Sequence, residues 1–253
     1  MRGTRLIAAS GVTLIALAGV AGGSAHGTSP GSTDELRLTT AKRGASTGVV
    51  ASEVFNARYK NGQLKPLRHS LIGFPRGTRF DAKATPTCSA TDADFKSKGM
   101  SACPPPSKIG SGNATVVTTG TPAELGPIPL DVTVFARTDG SLMVFSRDGV
   151  YLSSERIIAN GRFQHTSPAP KCVDQTEQPP CKHGEFVPRS LSIEIPARSR
   201  VIKGRRHNLV TTPPTCPRSG HWRFFDKHTF ADGSFDLFVN HPRCQRLADE
   251  PDG

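Results

Sequence analysis

The sequence has few aromatic residues, few methionines and only one long apolar run. It contains one Trp, two Tyr and three Met, and aromatic residues make up 6% of the chain. Beyond residue 25, no apolar run approaches the roughly 20 residues that a membrane-spanning helix needs, which excludes a protein with several such helices. No His-Glu-X-X-His sequence occurs and no glycine-rich phosphate loop follows a predicted strand. Two familiar motifs, of zinc peptidases and of nucleotide-binding proteins, are therefore missing.

The first 25 residues have the organisation of a secretory signal peptide. Arg2 and Arg5 precede an apolar stretch over residues 6–20, and small residues lead up to Ala25. A positive segment, a short apolar segment and a small-residue cleavage site in this order are typical of an exported protein. The alternative is a retained anchor helix, but about 15 apolar residues are too few to span a bilayer. We expect cleavage after Ala25 and a secreted or envelope-associated protein without a transmembrane anchor.

The chain is strongly basic. Its formal net charge is +11, and removal of Arg2 and Arg5 with the leader would leave about +9. This excess favours polyanionic partners, of which we expect an anionic cell-wall polymer or polysaccharide. The densest group of cations comprises Arg198, Arg200, Lys203, Arg205 and Arg206. An alternative interpretation of this group is a solvated loop beside a strand. Aromatic residues are not interleaved with it, which argues against single-stranded nucleic acid.

Six cysteines in a chain predicted to be exported indicate disulfides. Sequence order favours three local pairs, which are Cys88–Cys103, Cys172–Cys181 and Cys216–Cys244. The alternative is a zinc site in which Cys172, Cys181 and His183 supply three ligands, but their spacing matches no short Cys-X-X-Cys knuckle. We therefore predict no metal, no cofactor and no free thiol.

The local patterns predict an all-β fold with one short helix. Leu130, Val132 and Val134 alternate with polar residues, which is typical of a half-buried strand. Residues 222–230 and 235–239 flank an Asp-Gly turn and form a predicted hairpin. The helix is predicted between a capping Thr91 and a terminating Gly99. Many short strands joined by turns favour an antiparallel β-sandwich or a barrel-like fold, stapled by disulfides.

Composition predicts how the chain is divided. The predicted segments are the signal peptide (1–25), a flexible lead (26–48), the β-rich domain (49–246) and a tail (247–253). The lead is assigned from its Gly, Ser and Thr content. Residues 154–189 hold few apolar side chains and are predicted to form a long excursion stapled by a disulfide. Pro-Thr-Cys occurs at 86–88 and again at 214–216, so two related halves are a further hypothesis.

Short motifs are concentrated in two parts of the chain. The first part has Pro-Arg-Gly-Thr-Arg-Phe-Asp at 75–81, Pro-Thr-Cys at 86–88 and Cys-Pro-X-X-Ser-Lys-Ile-Gly-Ser-Gly at 103–112. The second has Pro-Thr-Cys-Pro at 214–217, Gly-His-Trp-X-Phe at 220–224 and Thr-Phe-Ala-Asp-Gly at 229–233, before Cys244. In this order the motifs resemble a group of uncharacterised, secreted, β-rich proteins of actinobacteria. The resemblance implies export, disulfides and a β fold, and it implies no catalytic residue.

Several titratable residues lie near the predicted last hairpin, namely His221, His228, His241, Asp226, Asp232 and Asp236. The histidines could converge on a metal, but a spacing of seven places His221 and His228 on opposite faces of a regular strand. Paired carboxylates could cleave a glycoside. Asp232 is better explained by its Asp-Gly turn, and we expect Asp226 and Asp236 to face solvent.

Nucleophilic catalysis has weak support. Ser111 lies in a Gly-Ser-Gly sequence that lacks the Gly-X-Ser-X-Gly spacing of a nucleophile elbow, and we predict that it is a turn residue. We therefore expect a non-catalytic binding or structural module. The alternative is a secreted hydrolase whose site is assembled from loops.

Overall fold

The computed structural model describes residues 28–119, 127–146, 152–158, 162–166, 171–174, 176–178 and 181–245. The predicted signal peptide and the predicted tail lie outside these residues. No helix among the described residues has the length and apolar character needed to cross a bilayer.

Antiparallel strands make up about half of the described chain. They are β1 (Thr33–Leu38), β2 (Val49–Val54), β3 (Leu67–Gly73), β4 (Arg79–Phe80), β5 (Lys108–Thr119), β6 (Ile128–Ala136), β7 (Leu142–Ser146), β8 (Leu152–Ile158), β9 (Arg162–Thr166), β10 (Lys171–Cys172), β11 (Glu185–Ile195), β12 (Ser199–Ile202), β13 (Arg205–Asn208), β14 (Val210–Thr211), β15 (Phe224–Phe230) and β16 (Phe235–Asn240). The one α-helix among the described residues, α1, spans Asp92–Lys98, and short 3-10 helices span Ala82–Ala84, Gly99–Ala102 and Pro105–Ser107. The predicted all-β fold with one short helix is confirmed.

One large sheet forms the body of the protein. Its strand order is β1-β2-β11-β5-β6-β7-β8-β9-β3-β15-β16, and β10 pairs with part of β11. The two ends of this order are joined by side chains, because Asn240 Nδ2 on β16 donates to Asp34 Oδ2 on β1 at 2.9 Å. The sheet therefore curls until its ends approach each other, but no ladder between β1 and β16 closes it into a barrel. Two small ribbons, β12–β13 and β4–β14, lie outside the large sheet.

The core lies inside this curl. In β15, Phe224, Asp226, His228 and Phe230 are buried, whereas the residues between them are partly exposed. Alternate residues of a strand face opposite sides of a sheet, so these four side chains share the inner face. Phe224 packs with Ile109, Val134 and Trp222 in the largest apolar cluster. Each large apolar side chain buried in this way contributes about 1.5–3 kcal/mol.

The three disulfides join the cysteines as the sequence order predicts. Cys88–Cys103 encloses α1, whose N-terminus is a capping box between Thr91 and Asp94 and whose C-terminal residue is followed by Gly99. Cys216–Cys244 encloses the β15–β16 hairpin. No zinc site forms from Cys172, Cys181 and His183, because both thiols are oxidised in one disulfide.

Three sequence-based expectations about local structure are wrong. The lead over 26–48 contains β1, which pairs with β2 and buries Leu36 and Leu38. The excursion predicted at 154–189 contains β8 and β9, which belong to the large sheet. Ser111 is a residue of β5 rather than of a turn, and the adjacent Gly112 allows close pairing, since a Cβ there would lie 1.8 Å from Ser192 O.

Candidate functional site

A surface groove forms where the two motif-rich parts of the chain meet. It has a volume of about 690 Å³ and is lined by Pro75, Arg76, Gly77, Pro214, Thr215, Pro217, Ser219, His221, Trp222, Arg223 and His241. Two tight turns form much of its wall. In one, Thr78 N donates to Pro75 O at 3.0 Å, and in the other, Gly220 N donates to Pro217 O at 2.9 Å. We call this feature the basic groove.

Covalent and hydrogen bonds fix the walls of the basic groove. Trp222 is buried, and its Nε1 donates to Thr215 O at 3.2 Å. The Cys216–Cys244 disulfide holds the same loop from the other side. Gly77 has φ +93°, and a Cβ at this position would lie 3.1 Å from Pro214 Cδ. The two walls therefore meet at a point where only glycine fits without strain.

The groove is positively charged. Arg76 and Arg223 are exposed, and neither forms an ion pair with a described residue. None of the described residues that line the groove is a carboxylate. His221 Nδ1 donates to Ser219 O at 2.7 Å, so this N–H is not available to a ligand. The two exposed arginines make the groove suit an anion.

A second group of cations lies on the hairpin formed by β12 and β13. β12 and β13 are joined by a two-residue turn in which Lys203 and Gly204 have φ values of 49° and 75°, as a type I′ turn requires. Of the five cations predicted to form a polyanion-binding group, Arg200, Lys203, Arg205 and Arg206 are exposed and Arg198 is half-buried. None of the five forms an ion pair with a described residue. We call this feature the basic hairpin.

The β4–β14 ribbon connects the basic groove to the basic hairpin. Residues 75–77 of the groove precede β4, and residues 214–217 follow β14. At the opposite end, Asp81 Oδ2 lies 2.6 Å from His207 Nδ1 on β13. The exposed Arg79 lies on β4 between these ends. Four residues of extended chain span about 13 Å, so cations extend over that distance from groove to hairpin.

A second group of titratable residues is buried inside the sheet. Glu53 on β2 and Asp226 and His228 on β15 are 4%, 1% and 1% exposed. His228 Nε2 lies 3.2 Å from Asp226 Oδ1 and 3.5 Å from Glu53 Oε2. Asp236 lies directly opposite His228 on β16, and Asp34 lies on β1 at the end of the sheet. We call these five residues the buried cluster.

Burial and mutual contacts shift the protonation of this cluster. Burial alone would lower the pKa of His228, but the carboxylates of Asp226 and Glu53 outweigh it and raise that pKa to about 9. Burial and the neighbouring Asp226 carboxylate raise the pKa of Asp34 to about 6. Charged groups of both signs are therefore concentrated where the sheet is otherwise apolar.

The structure separates the residues that the sequence placed near the last hairpin. His221 and His241 line the basic groove, whereas His228 is in the buried cluster, so the three histidines do not converge. The expectation that Asp226 and Asp236 face solvent is wrong, since they are 1% and 2% exposed. Both lie on the inner face of the sheet. For Asp226 the sequence did carry a signal, because Asp226 and His228 alternate with the same two-residue spacing as Phe224 and Phe230.

Asp232 behaves as predicted. It lies in the turn of the β15–β16 hairpin, where Asp232 Oδ1 accepts from Ser234 N at 3.0 Å. Partial burial would raise the pKa of Asp232, but Lys65 and Ser234 lower it to about 2.

The described residues offer no activated serine at the groove. Ser219 Oγ donates to His221 O and accepts from His221 N, so it bonds to the main chain and not to the imidazole. Ser46 lies in a Gly-X-Ser-X-Gly sequence, which has the spacing that Ser111 lacks. It forms an isolated bridge with Thr211 rather than the strand-to-helix turn of a nucleophile elbow.

Comparisons of the chain with protein-family models, with curated proteins and with solved structures found no match. The functional conclusions therefore depend on the geometry and charge of the chain itself.

Proposed function

We propose that the protein is an exported, non-catalytic module that binds a linear anionic polymer of the cell envelope, such as an acidic polysaccharide. The observation that carries the proposal is the run of cations from the basic groove, along the β4–β14 ribbon, to the basic hairpin. A ligand that contacts both ends must extend over at least the ribbon, which favours a chain-like anion over a compact one.

Three features support the location and the class of ligand. The three disulfides fit an oxidising compartment, and the N-terminal sequence pattern predicts export to one. The formal net charge of +11 favours attraction to polyanions. The resemblance to secreted actinobacterial proteins favours an envelope polymer over other polyanions as the ligand.

The position of the acidic residues supports a binding role over hydrolysis. Asp226 and Asp236 are buried within the sheet, out of contact with a polymer in the groove. Ser219, which does line the groove, is not bonded to a general base. Binding without cleavage requires only the arginine groups that are present.

Binding to polygalacturonate, with neutral dextran as the comparison polymer, tests the proposal. We expect polygalacturonate to bind and its affinity to fall as salt rises, because exposed charges are screened over about 10 Å at 0.1 M salt. Arg76→Ala/Arg223→Ala should weaken binding about tenfold, since each charged contact contributes roughly 1 kcal/mol or less at an exposed site.

The matched control removes two positive charges elsewhere. Lys60 and Lys182 are exposed and lie outside the groove, ribbon and hairpin. Lys60→Ala/Lys182→Ala should bind within about twofold of the wild type. Equal weakening in both double variants would show that net charge alone drives binding, and a salt-independent or undetectable interaction would remove the proposal.

A further inference from the structure

The buried cluster contains ligand atoms in an arrangement that the anion-binding proposal does not use. Glu53, Asp226 and His228 each present one ligand atom, and these atoms all lie within 4.8 Å of one another. Two carboxylates and one imidazole are donors that first-row divalent metals accept. The question is whether the geometry is that of an ion pair or of a metal site.

The contact distances match the edges of a metal coordination shell. For ligands about 2.1 Å from a tetrahedral metal, neighbouring ligand atoms are about 3.4 Å apart. The distances from His228 Nε2 to Asp226 Oδ1 and Glu53 Oε2 are 3.2 and 3.5 Å. Neither contact has hydrogen-bond geometry, because His228 Nε2 has no hydrogen-bond partner among the described residues.

A second polar atom in the cluster also lacks a partner. Asp226 Oδ1 accepts from Ser70 Oγ at 3.2 Å, which orients the carboxylate. Its other oxygen, Oδ2, is buried and has no hydrogen-bond partner among the described residues. An unpaired polar atom in an apolar interior costs about 1–3 kcal/mol, and more when it is charged. A cation bound to Asp226 Oδ1 and His228 Nε2 would give the imidazole a partner and neutralise the carboxylate to which Oδ2 belongs.

The elements that supply the ligands indicate what a cation would do. Glu53 lies on β2, next to one end of the large sheet, and Asp226 and His228 lie on β15, next to the other end. In the part of the chain that the structure describes, no ladder joins these ends. The cation would therefore connect two parts of the sheet that side-chain contacts alone hold together, as a structural metal does in a small domain.

From this geometry we propose that Glu53, Asp226 and His228 bind one small divalent transition-metal cation that joins the two ends of the sheet. Asp34 and Asp236 stand beside the site as outer carboxylates. Asn240 donates to Asp34, and Ser29 N and Oγ each donate to Asp236 Oδ1 at 2.8 Å. Outer groups of this kind position a ligand set without touching the metal.

The test uses the full chain, unfolded in guanidinium with its disulfides intact and refolded with Co²⁺, because the site is closed in the folded protein. After gel filtration we expect about one equivalent of Co²⁺ per chain, with the visible absorption of a low-symmetry site and displacement by Zn²⁺. At a roughly hundredfold excess of ion over Kd, the midpoint of thermal unfolding should rise by about 5–10 °C.

Two variants and one control separate this site from adventitious binding. Glu53→Gln and His228→Gln should each reduce Co²⁺ affinity by more than the roughly hundredfold that loss of an outer group can cost. A second cluster of Asp174, Glu177 and His183 is largely exposed and provides the control. His183→Gln should retain the equivalent of Co²⁺ and the thermal shift.

Circular dichroism of each variant distinguishes loss of the metal site from loss of the fold. Glu53→Gln conserves the shape of the side chain, so it should retain the β spectrum even if His228→Gln does not. A folded wild type that retains no Co²⁺, or a folded Glu53→Gln that retains a full equivalent, overturns the proposal. Loss of the equivalent in His183→Gln overturns it as well, because the ion would then be at the exposed cluster.

Discussion

Gly77 is the residue at which the two walls of the basic groove come closest. Its φ of +93° is strained for any other residue, and a Cβ would lie 3.1 Å from Pro214 Cδ. We predict that Gly77→Ala reduces the free energy of unfolding by about 1–2 kcal/mol through the backbone alone. It should also displace the Pro214 wall and weaken binding to polygalacturonate. Urea unfolding and a binding titration measure the two effects.

Gly140 provides the control for this prediction. It has φ +79°, in the turn between β6 and β7, and nothing lies within 4 Å of the place its Cβ would occupy. Gly140→Ala should therefore lose a similar amount of stability and keep its affinity for the polymer. If both variants bind equally well, the groove does not depend on the contact between Gly77 and Pro214.

Among the elements, the basic hairpin is linked to the ribbon by a side-chain contact between Asp81 and His207 as well as by main-chain hydrogen bonds. Partial burial would by itself raise the pKa of Asp81, but hydrogen bonds with His207 and with Lys83 N lower it below its ordinary value. Since the folded pKa is the lower one, the stabilisation is complete above the unfolded pKa of about 4 and is lost as the pH falls through the folded value.

We therefore predict that Asp81→Asn has a flatter pH dependence of stability than the wild type. Between about pH 6 and pH 3, the urea midpoint of the wild type should fall further than that of the variant. Glu194→Gln, which neutralises an exposed carboxylate on β11, serves as the control and should follow the wild type. Parallel curves for the wild type and Asp81→Asn would show that the contact does not persist in solution.

The elements differ in how far the sequence could predict them. Helix α1 was predictable because its signals are local: Thr91 and Asp94 form the cap and Gly99 ends the helix. The strands β1, β8 and β9 were not, because their sequences are largely polar and become strands only by pairing. β1 and β8 pair with strands nearby along the chain, whereas β9 also pairs with the distant β3. Hydrogen bonds to a neighbouring strand override weak local preference.

At the scale of the molecule, both candidate sites depend on how the sheet curls. The buried cluster draws on four strands, of which β1 and β2 are about 190 residues from β15 and β16 along the chain. No local sequence pattern links such distant residues, although the alternation of residues in β15 indicates that Asp226 and His228 face the inside of the sheet. The basic groove was partly predictable, since its walls are two motifs that are recognisable in the sequence, but their contact through Gly77 and Pro214 was not.

The disulfides lead to a prediction about the whole molecule, because they differ in loop length and in place. Cys216–Cys244 closes a separation of 28 residues and Cys172–Cys181 a separation of 9. Loop-closure entropy gives stabilisations of about 3.6 and about 2.6 kcal/mol at 25 °C. Replacing both cysteines of each pair with alanine should therefore reduce the free energy of unfolding more for the longer loop. Urea unfolding of the two double variants measures the difference.

Only the longer loop should also affect binding. Cys216 lies between Thr215 and Pro217, which line the basic groove, and Cys244 follows the β15–β16 hairpin. Cys216→Ala/Cys244→Ala should release this wall and weaken binding to polygalacturonate, even under conditions in which the variant is fully folded. Cys172→Ala/Cys181→Ala should bind as the wild type does. Equal affinity in both folded variants would mean that the polymer binds without the groove, and the basic hairpin would then have to account for the binding.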